Sequence, residues 1–265
     1  MKKSLAKRSL VLVTLLAVVC MVSISYAGDT SKTKAGGKVF VSPTLGAKFV
    51  LIPAGTFTMG EGEIGSDETR HQVTISKPFY MQTTEVTQWQ WQKVMGSNPS
   101  HFSSCGNNCP VENVFWKDVQ DFISRLNRQE GTDKYRLPTE AQWEYAARGG
   151  GKEEYADISS ESNLGDYAWY DANSGSKTHP VGQKRPNGLG LYDMSGNVWE
   201  WVHDWYGEYP AGSVTDPEGP SSGGSRMARG CSWNNNSMFC RSANSIILHP
   251  GARDLNLGFR LLSTR

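Results

Sequence analysis

The chain has 265 residues, enough for one large domain or two small ones and for a sizeable core. Its formal net charge is +1 and no long block of like charge occurs, which argues against nucleic acid as a partner. Twenty-eight glycines beside 11% aromatic residues, with nine tryptophans, describe a loop-rich but folded chain and exclude a disordered one.

The first 27 residues read as a signal peptide. Lys2, Lys3, Lys7 and Arg8 precede an apolar run at residues 10–22, too short for a comfortable membrane span. Ser25 and Ala27 place small residues at the −3 and −1 positions, so cleavage is expected after Ala27. Two alternatives stay open: an uncleaved anchor, and a lipoprotein attached through Cys20, where Val19 is bulkier than the small residue usual before such a cysteine. No second apolar run follows, so a soluble extracytoplasmic protein, periplasmic or secreted, is expected. Export leaves Cys105, Cys109, Cys231 and Cys240, an even number in an oxidising compartment, with three possible pairings. The turn residues between Cys105 and Cys109 suit a local clip, whereas the spacings lack the paired C-x2-C pattern of zinc sites.

Residues 28–46 are rich in Gly, Lys, Ser and Thr and read as a flexible lead-in. Residues 49–53 (FVLIP) form a short buried strand, and the alternating residues 56–59 (TFTM) its hairpin partner; residues 71–75 (HQVTI) form another strand. Three helices are predicted. Residues 84–95 open at a Ser/Thr cap and stop before Gly96. Residues 116–127 set Val119, Phe122, Ile123 and Leu126 on one face. Residues 138–148 place Pro138 in the first turn and end before Gly149. About seventy residues of little regular pattern follow, a stretch that metal ions, disulfides or the packing of Trp169, Trp199, Trp201 and Trp205 must hold. Residues 258–262 (GFRLL) make a final strand, and no repeat of fixed period occurs.

Four motifs in order resemble one family. They are FVLIPAGTFTMG at residues 49–60, YRLPTEAQWEYAAR at 135–148, GLYDMSGNVWEW at 190–201 and the GFR at 258–260. Together they are similar to the sulfatase-modifying-factor domain of the formylglycine-generating-enzyme family, over residues 47–263. The resemblance implies an α+β, C-type-lectin-like fold with low regular secondary structure, stabilised by bound calcium. Relatives include copper-dependent oxidases that convert a sulfatase cysteine to formylglycine. They also include domains acting on other substrates, domains without a catalytic centre, and variable ligand-binding proteins. Fold alone does not choose among them.

Calcium takes six to eight oxygen ligands. The resemblance implies a first site from the side chains of Asp193 and Glu200 with the carbonyls of Gly196 and Val198; a plain turn with a buried Glu200 is the other reading. A second site would use Asn163, the Leu164 carbonyl, Asn173 and the Gly175 carbonyl, although the loop lengths differ and Asn173 stands where an aspartate is expected. Glu140, Trp143 and Glu144 share one helix, and the two carboxylates read as buried structural partners for backbone or for arginines such as Arg148. The five histidines, His71, His101, His179, His203 and His249, show no helical metal-pair spacing.

The oxidases carry Gly-Gly-Ser, two residues, a cysteine, four residues and a second cysteine; two thiolates suit copper(I). Here Gly230 and Ser232 match, Cys231 replaces the second glycine, and Asn235 stands at the first catalytic cysteine. Counting puts Cys240 on the second, but residues 240–243 (CRSA) also resemble a stretch that follows the pair in non-oxidase members. Cys231 and Cys240 remain candidates for a disulfide, a rearranged metal or redox pair, or a lone nucleophile. Trp233, Asn234, Asn235, Asn236, Ser237, Met238 and Phe239 suit an adaptable contact surface, aromatics for area and amides for hydrogen bonds. The expectation is a non-catalytic, calcium-stabilised binding or accessory domain, monomeric, with a protein or small-molecule ligand. The alternative is a copper-dependent oxidase of the formylglycine-generating type, and an envelope-assembly role is a third.

Overall fold

The structure, a computed structural model, describes residues 38–60, 70–150, 155 and 161–265. The signal-peptide reading and Cys20 therefore lie outside the described residues. Among the described residues, twelve short strands are arranged in three sheets. β1 (Val39–Val41), β2 (Lys48–Ile52), β5 (Phe79–Gln82), β6 (Tyr135–Arg136) and β12 (Leu262–Ser263) form an antiparallel sheet of order β1-β2-β5-β12-β6. β7 (Trp199–Trp205), β9 (Arg226–Arg229), β10 (Ser245–Leu248) and β11 (Leu257–Gly258) form the second, of order β10-β9-β7-β11. β3 (Gly55–Met59), β4 (His71–Ile75) and β8 (Val214–Thr215) form the third. The α+β class expected from the sequence is therefore observed.

Three boundaries differ from the sequence reading. Regular structure begins earlier than residue 47: β1 pairs with β2, and Val39, Phe40 and Leu45 are buried, so part of residues 38–46 belongs to the core. β3 is not the partner of β2. It pairs with β4 in another sheet, while β2 pairs with β1 and β5. The expected final strand is split in two. Leu257–Gly258 runs parallel to β7, and Leu262–Ser263 crosses to lie between β5 and β6. Gly258 permits the crossing, because a Cβ there would lie 2.4 Å from the Val111 carbonyl oxygen.

The helices follow their caps. α1 (Gln88–Met95) starts later than residue 84 because Thr87 makes a reciprocal capping box with Gln90, and it stops at Gly96, φ 87°. α2 (Trp116–Glu130) buries Val119, Phe122, Ile123 and Leu126, the predicted face, and runs on to Gly131. α3 (Glu140–Ala147) is capped by Thr139 with Gln142, so Pro138 stands before the cap rather than in the first turn. A fourth helix, α4 (Leu164–Tyr167), is a single turn.

The predicted irregular stretch contains β7, an inner strand of its sheet. Trp199 and Trp201 enter one core cluster, with Phe49, Trp91, Phe122 and Phe259, and Val202 enters the other, with Ile52, Phe57, Trp143 and Met227. A strand buried on both faces loses the alternation by which strands are read. Aromatic contacts tie α1 to α2 and to the chain end: Trp91 stacks on Phe122 at 5.3 Å and meets Phe259 edge-on at 6.0 Å. Both cores converge behind the segment after β9, and that segment is the candidate site.

Candidate functional site

β9 delivers the chain to the site through Arg229, which is fully buried. Its guanidinium bridges Glu140 at 2.8 Å and Glu144 at 3.0 Å, and donates to the carbonyls of Ser242 and Ala243. Arg148 binds Glu144 at 2.8 Å. Glu140 and Glu144 therefore act as the structural anchors expected of them, fastening α3 to both ends of the loop. Gly230 follows with φ 103°, and a Cβ there would meet the Trp143 ring at 2.9 Å.

Two disulfides are present, Cys105–Cys109 and Cys231–Cys240. The second closes the loop with Cα atoms 4.8 Å apart, and Cys231 and Cys240 are 0% and 1% exposed. Within it, Ser232 hydrogen-bonds the side chains of Asn234 (2.8 Å) and Asn235, and Asn256 donates to Asn234 at 2.9 Å. The Trp199 indole N–H donates to Asn235 Oδ1 at 2.9 Å. Position 235 thus holds an amide oxygen, fixed by an indole and a hydroxyl, where the resemblance would have a thiolate. Asn236 accepts the Met238 N–H at 3.1 Å and opens the 3₁₀ turn Ser237–Cys240. Ser237 reaches Glu161.

The seven candidate contact residues do not share one face. Trp233 is turned inward: it is buried, donates to the Leu255 carbonyl at 3.2 Å and meets Phe102 edge-on at 5.4 Å. Asn235 is half-buried and committed to Trp199. Asn234, Asn236, Met238 and Phe239 face outward, with Met238 64% and Phe239 47% exposed. Ile247, on the adjoining strand β10, is 46% exposed. Nothing in the alternation of the sequence marked Ile247, because β10 is short and its other three residues are all half-buried.

The first predicted calcium set is only partly available. Glu200 is fully buried and spends both carboxylate oxygens on Arg260, at 2.7–3.0 Å, and on the Trp143 indole at 2.7 Å. Asp193 adopts φ 55° and accepts the Gly182 N–H at 2.7 Å through Oδ2; its buried Oδ1 meets no N–H donor, and the carboxyl is hydrogen-bonded to the side chain of Glu85. Gly196 and Val198 lie in the intervening turn, and the Gly196 N–H donates to the Gly230 carbonyl at 2.6 Å. A third carboxylate was missed in the sequence. Glu85, fully buried before α1, accepts from Asn197 through Oε1, while Oε2 meets no N–H donor and the carboxyl pairs with that of Asp193. Burial, and then the Asp193 charge, push the Glu85 carboxyl well above its usual range; burial also raises Asp193, against the Gly182 hydrogen bond. Three carboxylates thus surround one guanidinium, and the open oxygens lie on Asp193 and Glu85 rather than on Glu200.

In the second predicted set, Asn173 is engaged in a turn. Asn173 accepts the Tyr170 N–H at 3.0 Å and donates to the Ala168 carbonyl at 2.9 Å. Asn163 is exposed, Leu164 begins the single-turn α4, and Gly175 has φ 61°. Among the described residues, no group of three or more His, Cys, Asp or Glu side chains is placed to hold a metal ion.

Residues 38–265 match the sulfatase-modifying factor enzyme 1-like domain. The chain belongs to this family. It is 32% identical to a chaperone protein LppX of Paenibacillus barcinonensis, over 88% of this chain and 92% of that protein. It is 35% identical to a formylglycine-generating enzyme of Streptomyces coelicolor, over 58% of this chain and 52% of the enzyme, so it spans about half that enzyme's length. Among solved structures, Treponema denticola variable protein 1 superposes with a TM-score of 0.78 at 34% identity, covering 86% of this chain and 99% of that one. PvdO from Pseudomonas aeruginosa gives 0.68 at 28% identity, covering 85% and 97%. For this family member, the four motifs map onto β2 and β3, α3 with its cap, the turn into β7, and the crossing from β11 to β12.

Proposed function

We propose that the chain is a non-catalytic binding or accessory domain acting outside the cytoplasm, with its contact surface at Asn234, Asn236, Met238 and Phe239. The observation that carries this reading is the sealed Cys231–Cys240 disulfide beside an amide at position 235. Copper(I) chemistry needs two thiolates that a substrate can approach. Here two sulfurs are bonded to each other and buried, and the third position has no sulfur, so the residues do not fit a copper centre.

The same disulfide makes the loop a rigid platform. Hydrogen bonds from Ser174 to the Trp233 carbonyl (2.7 Å) and from the Asp171 N–H to the Asn235 carbonyl (3.0 Å) fix it from beneath. Two large apolar side chains held outward on a fixed turn give contact area at low entropic cost. The relative named as a chaperone, which aligns along nearly its whole length, fits an accessory role. Two disulfides fit an oxidising compartment, and no helix among the described residues is long and apolar enough to cross a membrane.

Calcium remains part of the proposal at one place. Asp193 and Glu85 are buried carboxyls whose outer oxygens meet no N–H donor and that pair with each other through a retained proton; a divalent cation would take the place of that proton. When bound, calcium would supply charge neutralisation and rigidity to the turn before β7, not chemistry.

A photo-crosslinking side chain placed at position 239 in the exporting host tests the contact surface. A discrete crosslinked species from position 239, absent with the same group at Trp89 (another exposed apolar residue, 41%), is expected. Equal labelling from both positions would contradict the assignment.

A further inference from the structure

A cavity of about 250 Å³ opens beside, but not on, the proposed contact surface. Its lining comes from two segments: Phe102, Ser104 and Cys105 on one side, and Lys177, Thr178, His179 and Pro180 on the other. The segments are joined firmly. The Val181 N–H donates to the Asn108 carbonyl at 2.9 Å, and the Cys105–Cys109 disulfide closes the first wall. The second wall is fixed by His179, whose N–H donates to Asn197 at 3.0 Å, whose Nε2 lies 2.6 Å from the Ser174 carbonyl, and whose ring stacks on Trp169 at 3.8 Å. Phe102 is held by its edge-on contact with Trp233. The cavity is therefore preformed.

Its chemistry is specific. Thr178 is fully buried and its hydroxyl has no protein partner. A buried polar group left unpaired costs about 1–3 kcal/mol, so a small shift of the Lys177–Thr178 wall that opens the hydroxyl to a ligand acceptor recovers a real penalty. Lys177 brings a positive charge to the mouth, Ser104 a second hydroxyl, and none of the lining residues is acidic. Phe102 and Pro180 supply an apolar wall. The volume falls just below the roughly 300–1,000 Å³ of drug-sized sites, which suits a single ring or one amino-acid residue.

We propose that this cavity binds a carboxylate carried on a small apolar body, the oxygens taken by Lys177 and the Thr178 hydroxyl and the body resting on Phe102 and Pro180. The carboxylate can belong to a free organic acid or to the C-terminus of a polypeptide. The inference uses none of the loop residues of the proposed contact surface, so either can fail alone.

The experiment is titration of the folded protein with phenylacetate, with uncharged phenylacetamide, and with Gly-Gly-Phe as free acid and as C-terminal amide, followed by amide NMR shifts and calorimetry. Phenylacetate or the peptide acid should bind, with shifts at Thr178 and His179, and each amide should bind about tenfold more weakly. Lys177→Gln, a change at an exposed residue, should cost about tenfold; Thr178→Val should weaken binding without a loss of Tm large enough to signal misfolding. A peptide acid about tenfold tighter than phenylacetate assigns the polypeptide source, and the reverse assigns the free acid. No binding of either acid up to about 10 mM, equal binding of acids and amides, or undiminished binding to Lys177→Gln overturns the proposal.

Discussion

Removing the Cys231–Cys240 bridge as Cys231→Ala/Cys240→Ala tests whether this pair is a staple. The bridge spans a sequence separation of nine, hence a closed loop of ten residues. Loop-closure entropy for that length amounts to about 2.7 kcal/mol near room temperature. Both sulfurs are packed in the core, and their loss adds on the order of 1 kcal/mol. The double variant should therefore lose about 3–4 kcal/mol in urea unfolding, with an m-value equal to or somewhat above that of the native chain because the uncross-linked unfolded state exposes more surface. The shorter Cys105–Cys109 loop, with a separation of four, should cost about 2 kcal/mol when removed in the same way. A loss below about 1 kcal/mol for Cys231→Ala/Cys240→Ala, or a larger loss for the Cys105–Cys109 pair, would refute the reasoning.

Three further outcomes are expected. Arg260→Met leaves Glu200, Glu85 and Asp193 without their buried cation and should destabilise by about 3–5 kcal/mol in calorimetry; a change under about 1 kcal/mol would show that the cluster is neutralised some other way. Calcium should raise Tm and a chelator lower it, with both effects abolished in Glu85→Gln/Asp193→Asn; a Tm indifferent to calcium in the native chain removes the cation from the account. Burial, and then Glu140, push Asp204 up to about 8. An acid whose folded pKa is raised holds its proton in the folded state after the unfolded chain has lost it. Stability should then fall as pH rises from about 4 to about 8, by at most about 1.4 kcal/mol per unit, and level off above. Asp204→Asn should flatten that slope, and an identical slope in the variant would assign the effect elsewhere.

Local signals were legible in the sequence and long-range pairing was not. The apolar face of α2 follows from spacing alone, and the Cys105–Cys109 clip from the turn residues between its thiols. Thr87 and Thr139 moved two helix starts inward because a cap overrides a propensity that begins earlier. The pairing of β3 with β4 was hidden because β2 and β3 are adjacent short strands, and nothing local tells a hairpin from a change of sheet. β7 escaped notice for the opposite reason, since burial on both faces removes alternation. At the site, the loop 231–240 could be found from its cysteines and asparagines, but the inward turn of Trp233 depends on Phe102 and Leu255, distant in the chain. Glu85 was invisible as a partner of Asp193 because only the packing of α1 against the turn before β7 brings them together.

On the proposed function, Cys231 and Cys240 fix a binding loop and hold no copper. The decisive experiment counts free thiols on native protein purified without reductant and then titrates the same sample with copper(I). No free thiol at Cys231 or Cys240 and no stoichiometric copper binding are expected. Two titratable thiols at these positions with tight one-to-one copper binding, lost in Cys240→Ser, would contradict the proposed function and establish an oxidase with a rearranged metal site.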